Sequence, residues 1–190
     1  VDTLTIDGTT GSADTLDLAS LGYTLKLANA GATATVFTNS GTLTPGTNST
    51  VQYSATNSAA NVNVAATTYN SLQLSGAETY DLAGSLTTTN ALTGNLTIDS
   101  GATLDATASN YSISLAGNWA NSGTYTTRSN TVTFTGNATS HQTVTTAGQA
   151  FNNFTINNTQ ATYDQAIISG ALDVNGTLTI TDGNLKLDTN

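Results

Sequence analysis

The chain of 190 residues carries 3 Lys and Arg against 12 Asp and Glu, which gives a net charge of −9 at pH 7. So few cations can neither neutralise a nucleic-acid backbone nor hold the chain on an anionic membrane surface, and both partners are excluded. The sequence has no Cys, which excludes disulfides and thiolate metal sites, and no apolar run long enough for membrane insertion.

Short groups of alternating apolar and polar residues, bounded by Gly, Asn, Asp or Ser, predict β-strands along the whole chain. In chain order these groups lie at 4–6, 23–27, 50–53, 61–64, 71–74, 96–98, 111–115, 131–134, 153–156, 171–174, 178–180 and 185–187. Helical periodicity is nearly absent, and the single proline, Pro45, lies in a turn. The sequence therefore predicts an all-β fold, and the regular pattern argues against a disordered linker.

A long internal repeat relates the two halves of the chain. The segments 39–44, 48–54, 68–74 and 95–101 match 121–126, 129–135, 150–156 and 177–183 at a nearly constant offset. We interpret residues 1–190 as one domain with two internal repeats of about 82–92 residues. The first repeat covers about 4–95, the second about 96–177, and a further repeat starts at 178–190.

A shorter period lies within each repeat. One apolar residue per group recurs at intervals of roughly 20 residues, at Leu4, Leu25, Val51, Leu72, Leu96, Ile113, Val132, Phe154 and Leu178. This spacing predicts a parallel β-helix, or β-solenoid, of about nine coils with these side chains pointing inward. Asn residues at corners, as in 152–158, are expected to form hydrogen-bonded ladders between coils. Tandem β-sandwiches would also give short strands and a long repeat, and they are the alternative.

Three longer phrases carry a family resemblance. GNLTIDSGATLD, LAGNWANSGTYTTRSNTVTFTGNATSHQTVT and FNNFTINN resemble the repeats of very large bacterial surface and secreted proteins. These are the solenoid stalks of adhesins, autotransporter passengers and haemagglutinin-like exoproteins, and the resemblance covers most of the chain. It implies a β-solenoid in an extracellular or cell-surface setting and no particular activity. The secretion-domain motifs of haemagglutinin-like proteins are not visible, so no secretion route is implied.

Few residues have the chemistry of an active site. His141 is the only His, beside Ser140, and we interpret it as a loop residue. Asp14 and Asp17 have no counterpart pair for glycoside hydrolysis, and we place them on an exposed strand. A polysaccharide lyase would need a basic residue among acids, but the three cations are isolated in sequence: Lys26, Arg128 and Lys186. We therefore expect no enzyme activity and no catalytic residues.

Three acidic residues are the candidates for structural calcium. Asp7, Asp99 and Asp182 stand before turns in similar local sequences, and stacked turn carboxylates can bind Ca²⁺. Asp next to Gly is also sufficient to form a turn, which is the simpler interpretation, so we expect no cofactor. Trp119, the only Trp, is expected to be a buried corner residue and not an exposed platform for a sugar ring.

The functional hypothesis is a non-enzymatic extracellular structural protein that forms a head-to-tail filament, a matrix fibre or a cell-surface stalk. Neither end shows a capping element, and an uncapped solenoid exposes strand edges to a second copy of itself. The residues expected at the assembly ends are Leu4, Ile6, Leu178, Ile180, Leu185 and Leu187. Continuation within a longer polypeptide is the competing explanation. The alternative function is a carbohydrate-binding adhesin segment with surface glycans as partners, which a ligand-sized groove would favour.

Overall fold

The computed structural model describes residues 3–7, 14–19, 22–29, 35–56 and 60–188. One turn of 3-10 helix occurs in this part of the chain, at Thr88–Asn90. The strands are β1 (Leu4–Ile6), β2 (Thr15–Asp17), β3 (Thr24–Asn29), β4 (Phe37–Asn39), β5 (Thr42–Thr44), β6 (Thr50–Ala55), β7 (Val62–Val64), β8 (Ser71–Ser75), β9 (Thr79–Leu82), β10 (Leu96–Ile98), β11 (Thr103–Asp105), β12 (Ile113–Leu115), β13 (Trp119–Asn121), β14 (Thr124–Thr126), β15 (Thr131–Phe134), β16 (Gln142–Thr145), β17 (Asn153–Asn157), β18 (Gln165–Ser169), β19 (Leu178–Asp182) and β20 (Asn184–Asp188).

The strands stack in parallel as successive coils of a β-solenoid. The long sheet has the order β20-β18-β16-β13-β10-β8-β6-β3, the second sheet has the order β14-β11-β9-β7, and the third has the order β12-β15-β17-β19. Two short pairs, β1-β4 and β2-β5, form the first coils. From β10 to β16 the chain runs from the long sheet to the second, then to the third, and returns to the long sheet one coil further on. The earlier coils, from β6 to β10, have a strand in the second sheet but none in the third, and the later coils, from β16 to β20, have a strand in the third but none in the second. The predicted all-β solenoid is therefore confirmed.

The number of coils is about seven, fewer than the nine expected. The interval between returns to the long sheet varies from coil to coil, and loops of different length absorb the difference while the register holds. The expected number was too high because its nine positions come from three sheets. Leu4 lies in β1, Leu25 to Leu96 align in the long sheet, and Ile113 to Leu178 align in the third sheet.

Segments that match across the long repeat occupy different sheets. Leu72 lies in the long sheet, whereas its sequence counterpart Phe154 lies in the third sheet. Leu96 and Leu178 are separated in the same way. The offset between the two sequence repeats therefore corresponds to three turns plus the segment from the long sheet to the third. The two copies share strand sequences without sharing a position on the coil.

One hydrophobic core extends through the stacked coils. It consists of inward Leu, Ile, Val, Ala and aromatic side chains, which alternate with outward polar residues along most strands. In the later coils Trp119 packs against Tyr125 and Phe151, with ring centroids 5.0 and 5.1 Å apart. Trp119 is buried, as expected. A single continuous core excludes the tandem-sandwich alternative, which requires two separate cores.

Buried tyrosines add a polar network to the earlier coils. The Tyr53 hydroxyl accepts the N–H of Ala65 at 3.0 Å and lies 3.1 Å from the Tyr69 hydroxyl, which donates to the Ala65 carbonyl at 2.7 Å. Tyr80 accepts the N–H of Ala55 at 2.9 Å. Burial raises the pKa of Tyr53 to about 12 and raises the pKa of Tyr69 well above its usual value. These hydroxyls tie neighbouring coils together in their protonated form.

Replacing Phe154 with Asp should unfold the surrounding coils. Phe154 is fully buried and stacks on Phe134, with ring centroids 4.7 Å apart, so an aspartate there would be buried without a partner. We expect a loss of about 3–5 kcal/mol in the free energy of unfolding, measured by urea denaturation. Thr155→Asp is the matched control because its side chain points outward from the same strand, and it should cost less than about 1 kcal/mol. Equal losses would contradict the inward direction of Phe154.

Stability should fall steeply above pH 10. The pKa of Tyr53 is about 12 in the folded chain and 10.0 without burial. Above pH 10 the unfolded chain therefore loses this proton more readily than the folded chain, and deprotonation favours unfolding. The free energy of unfolding should change little between neutral pH and pH 10 and then fall by about 1.4 kcal/mol per pH unit for each such tyrosine. Urea titrations at several pH values test this. Tyr53→Phe should reduce the slope, and an unchanged slope would remove the network as its cause.

Candidate functional site

The last described coil leaves its inward side chains uncovered. Leu178, Ile180 and Leu187 are 46, 51 and 61 % exposed, and Leu185 is half-buried against the core. Phe154, which pairs with Leu178 from the preceding coil, is fully buried. The exposure therefore arises because no described strand pairs with the outer edges of β19 and β20. This surface, formed by β19 and β20, is termed the open coil.

The opposite end of the solenoid is better covered. Leu4 and Leu25 are half-buried, and Ile6 and Leu27 are buried, although β1, β2 and β3 are each an edge strand. Leu4, Leu25 and Leu27 line a small apolar pocket of about 260 Å³. The residues expected at the assembly ends thus lie at the two ends of the solenoid. Their role in assembly stays a prediction.

The three calcium candidates are not stacked. Asp7 follows β1, Asp99 follows β10 in the long sheet, and Asp182 ends β19 in the third sheet. Asp99 accepts a hydrogen bond from the Gln73 amide at 2.8 Å, and Asp182 accepts the N–H of Gly183 at 2.8 Å. Among the described residues no group of three or more His, Cys, Asp and Glu could hold a metal ion. Turn formation is therefore the interpretation that the structure favours for these carboxylates.

His141 is held by structural contacts. Its Nδ1 accepts the N–H of Gln165 at 3.3 Å, and its ring packs edge-on against Tyr163, with centroids 5.4 Å apart. Neighbouring Ser140 donates its backbone N–H to the Asn137 carboxamide at 3.1 Å. Because Nδ1 is the acceptor, the proton of the neutral ring lies on Nε2. Within the described part of the chain, no hydrogen bond joins the side chains of Ser140 and His141 as a catalytic dyad would need.

The basic residues are far apart. Arg128 forms a bidentate ion pair with Asp105, with Nε–Oδ1 and Nη2–Oδ2 distances of 2.8 and 2.6 Å. Hydrogen bonding to the guanidinium lowers the pKa of Asp105. The Arg128 side chain is 41 % exposed, so the pair adds little stability. Lys26 in β3 and Lys186 in β20 lie on opposite edges of the long sheet. The cations therefore do not converge on one site.

A polar groove of about 540 Å³ lies at the corner where the chain enters the long sheet. Its described lining residues, thirteen in number, are all Asn, Thr, Ser or Gly. They come from the segments 47–50, 70–71, 93–95, 117–118 and 137–140 of five successive coils. At the usual strand spacing the groove is about 19 Å long. This surface is termed the amide groove.

Side-chain oxygens of one coil bond the backbone of the next along the amide groove. Asn95 Oδ1 accepts the N–H of Asn118 at 2.8 Å, and Asn118 Oδ1 accepts the N–H of Thr143 at 2.8 Å. A Cβ at Gly117 would lie 2.4 Å from Asn95 Oδ1, so glycine is required for this close approach. Asn153 makes the same bond to Thr177, at 3.0 Å, outside the groove. The expected corner ladders exist, but the partner is backbone N–H and not a second amide.

The amide groove is not predicted by the strand patterns of the sequence. The available signal was the dipeptide Gly-Asn, which stands directly before the apolar start of β10 and β13 at positions 94–95 and 117–118. Two equivalent Gly-Asn corners, one coil apart, predict a shallow channel because glycine removes a side chain that would fill it. The pattern is short and common, and it becomes informative only once the coil register is known.

Comparison with known proteins finds no similar sequence or structure. No protein-family model, no curated protein and no solved structure matches the chain. In the described ranges, no helix combines the length and apolarity that crossing a membrane requires.

Replacing His141 with Ala should act on stability alone. The substitution removes the acceptor for the Gln165 N–H and the contact with Tyr163, so we expect a loss of about 1 kcal/mol in the free energy of unfolding. His141→Asn, which keeps an acceptor near the Nδ1 position, should recover part of that loss. Any native activity and self-assembly should be unchanged in both variants. Loss of a hydrolytic activity in His141→Ala, with stability intact, would overturn the structural assignment.

Proposed function

We propose that the protein is a non-enzymatic structural component of a bacterial cell surface or extracellular fibre, whose copies stack head to tail. The observation that carries the proposal is the open coil. Leu178, Ile180 and Leu187 expose apolar surface at the unpaired edges of two parallel sheets. Apolar side chains beside unpaired backbone groups favour the addition of further strands.

The order of strands around the coil supports a second copy as the covering partner. The chain leaves each of β6, β8, β10 and β13 in the long sheet for a strand of the second sheet. β20 belongs to the long sheet, and β1 reaches the second sheet through β4 and the bridge between Thr35 and Asn63. In the last two coils the chain passes from β16 to β17 and from β18 to β19 without a strand in the second sheet. A copy placed beyond β20 would therefore set its β1 on the side of the coil that the second sheet occupies in the earlier coils. Its β2 and β3 would then follow beside β19 and β20.

The two edges of the long sheet carry the same tripeptide. Leu25, Lys26 and Leu27 in β3 match Leu185, Lys186 and Leu187 in β20. Pairing these strands in register would cover the apolar residues of β20 with those of β3 and keep both lysines outside. Lysines directly opposite each other cost roughly 0.2–1 kcal/mol, and copies of net charge −9 repel one another. Assembly should therefore be favoured by added salt.

The proposed extracellular location is supported by the composition of the chain and by its resemblance to stalk proteins. A solenoid rich in Thr, Ser, Asn and Gly, without Cys, is what the resemblance to bacterial surface and secreted stalk proteins implies. Most of its outward strand positions are polar and few are charged, and its stability comes from apolar stacking that does not depend on ions. Both properties suit a rigid extracellular spacer.

The test is filament formation by the full 190-residue chain. We expect filaments in electron micrographs and a sedimentation coefficient that rises with protein concentration and with salt. Leu178→Asp should abolish both, because it places charge on the open coil without disturbing the buried core. Thr179→Asp, the outward neighbour on β19, is the control and should still assemble.

A chain that stays monomeric at high concentration and high salt would contradict self-assembly. That result would favour covering of the open coil by further coils of a longer polypeptide. Filaments that persist in Leu178→Asp would place the contact on another surface.

A further inference from the structure

We propose that the amide groove binds an uncharged, linear oligosaccharide. This role is additional to the structural one, because the groove lies along the side of the solenoid and the open coil lies at its end. The proposal specifies the class of surface glycan that the structural component would bind.

The charge of the groove selects against ionic ligands. The chain has a net charge of −9, while every described lining residue is neutral. An anionic glycan or a phosphate would be repelled by the protein as a whole and would find no cation in the groove. A cationic ligand would find no carboxylate there. The ligand that fits is neutral and rich in hydrogen-bonding groups.

The groove offers donors to such a ligand. Asn95 and Asn118 both turn Oδ1 to the backbone of the next coil, and no described residue accepts from their Nδ2 groups. Two amide donors are therefore available one coil apart. Lining hydroxyls such as those of Thr47 and Ser140 can both donate and accept. Sugar hydroxyls have the same double capacity, and they can follow a row of repeated polar groups.

The direction of the groove favours a sugar chain over a peptide. The groove crosses successive strands along the solenoid axis, and each crossed strand is already paired on both sides within the long sheet. A peptide therefore has no free strand edge to extend, which is the usual way an extended peptide binds to a sheet. The lining also lacks apolar pockets for peptide side chains.

An exposed aromatic ring lies one coil beyond the groove. Tyr23 is 53 % exposed, and its carbonyl accepts the N–H of Thr50, a lining residue, at 2.8 Å. The strand pairing of Thr24 with Thr50 places Tyr23 next to that end of the groove. A ring with one apolar face and a polar tip suits stacking on a sugar at the end of the chain.

The experiment titrates the full chain with cellohexaose, maltohexaose, mannohexaose and chitohexaose, and with hexagalacturonate as the anionic comparison. Binding is followed by calorimetry and by the side-chain amide signals of Asn95 and Asn118 in NMR spectra. We expect at least one neutral hexasaccharide to bind with a sub-millimolar Kd and to shift those signals. No binding of any neutral probe at millimolar concentration, or equal binding of hexagalacturonate, would overturn the proposal.

Isosteric variants isolate the amide donors. Asn95→Asp with Asn118→Asp keeps the Oδ1 acceptors for the backbone and removes the Nδ2 donors, so binding should weaken by at least about tenfold. Asn153→Asp makes the same change in the same type of bond outside the groove, and its affinity should equal that of the wild type. Undiminished affinity in the double variant would contradict the proposal.

Variants of Tyr23 provide a second test that leaves the hydrogen bonds of Asn95 and Asn118 unchanged. Tyr23→Ala should weaken binding and Tyr23→Phe should retain most of it, so the proposal is still tested if the double variant does not fold. Equal affinity of Tyr23→Ala and wild type would contradict the proposed placement of the sugar chain along the amide groove with its end on Tyr23. Filament formation by the same variants, measured separately, distinguishes failure of this proposal from failure of the structural one.

Discussion

Every inward side chain of this solenoid must be covered by an inward side chain of the next coil. A single coil cannot bury its apolar residues, so parallel, in-register stacking is the condition on which burial depends. The long sheet meets it on both sides of the six strands that lie between its edge strands, β3 and β20. Where the condition is met, as at Leu72 and Phe154, exposure is close to zero. Where it is not, as at Leu187, the same kind of residue lies largely in solvent.

The same condition explains the irregular corners and the polar surfaces. Register is fixed in the sheets, so the variation in coil length is taken up by turns whose backbone groups need other partners. Asn95, Asn118 and Asn153 supply those partners through Oδ1. The amide groove is thus a consequence of stacking. The Oδ1 atoms of Asn95 and Asn118 accept hydrogen bonds from the neighbouring coil, and their amide nitrogens remain on the surface. The open coil is its counterpart at the end of the stack.

Local strand patterns were predictable from the sequence, and the geometry of the coil was not. Alternation in groups such as 71–74 and 131–134 predicted β8 and β15, and the regular spacing of such groups predicted a solenoid. The coil number failed because Leu72 and Phe154 look equivalent in sequence but lie in different sheets. A three-residue strand pattern does not encode which sheet it joins. For the same reason the turns at Asp99 and Asp182 looked stacked and are not, and the amide groove went unseen.

Disulfide trapping tests the register most directly, because the chain has no Cys of its own. Thr133 and Thr155 are paired outward positions of adjacent coils, and Thr179 lies one coil further on. Adjacent strands are about 4.8 Å apart, which a disulfide spans, whereas two coils are about 9.6 Å apart, which it does not. Thr133→Cys with Thr155→Cys should therefore cross-link rapidly under mild oxidation, and Thr133→Cys with Thr179→Cys should remain reduced. Equal cross-linking of the two pairs, or none of the first, would contradict the stacked parallel coil.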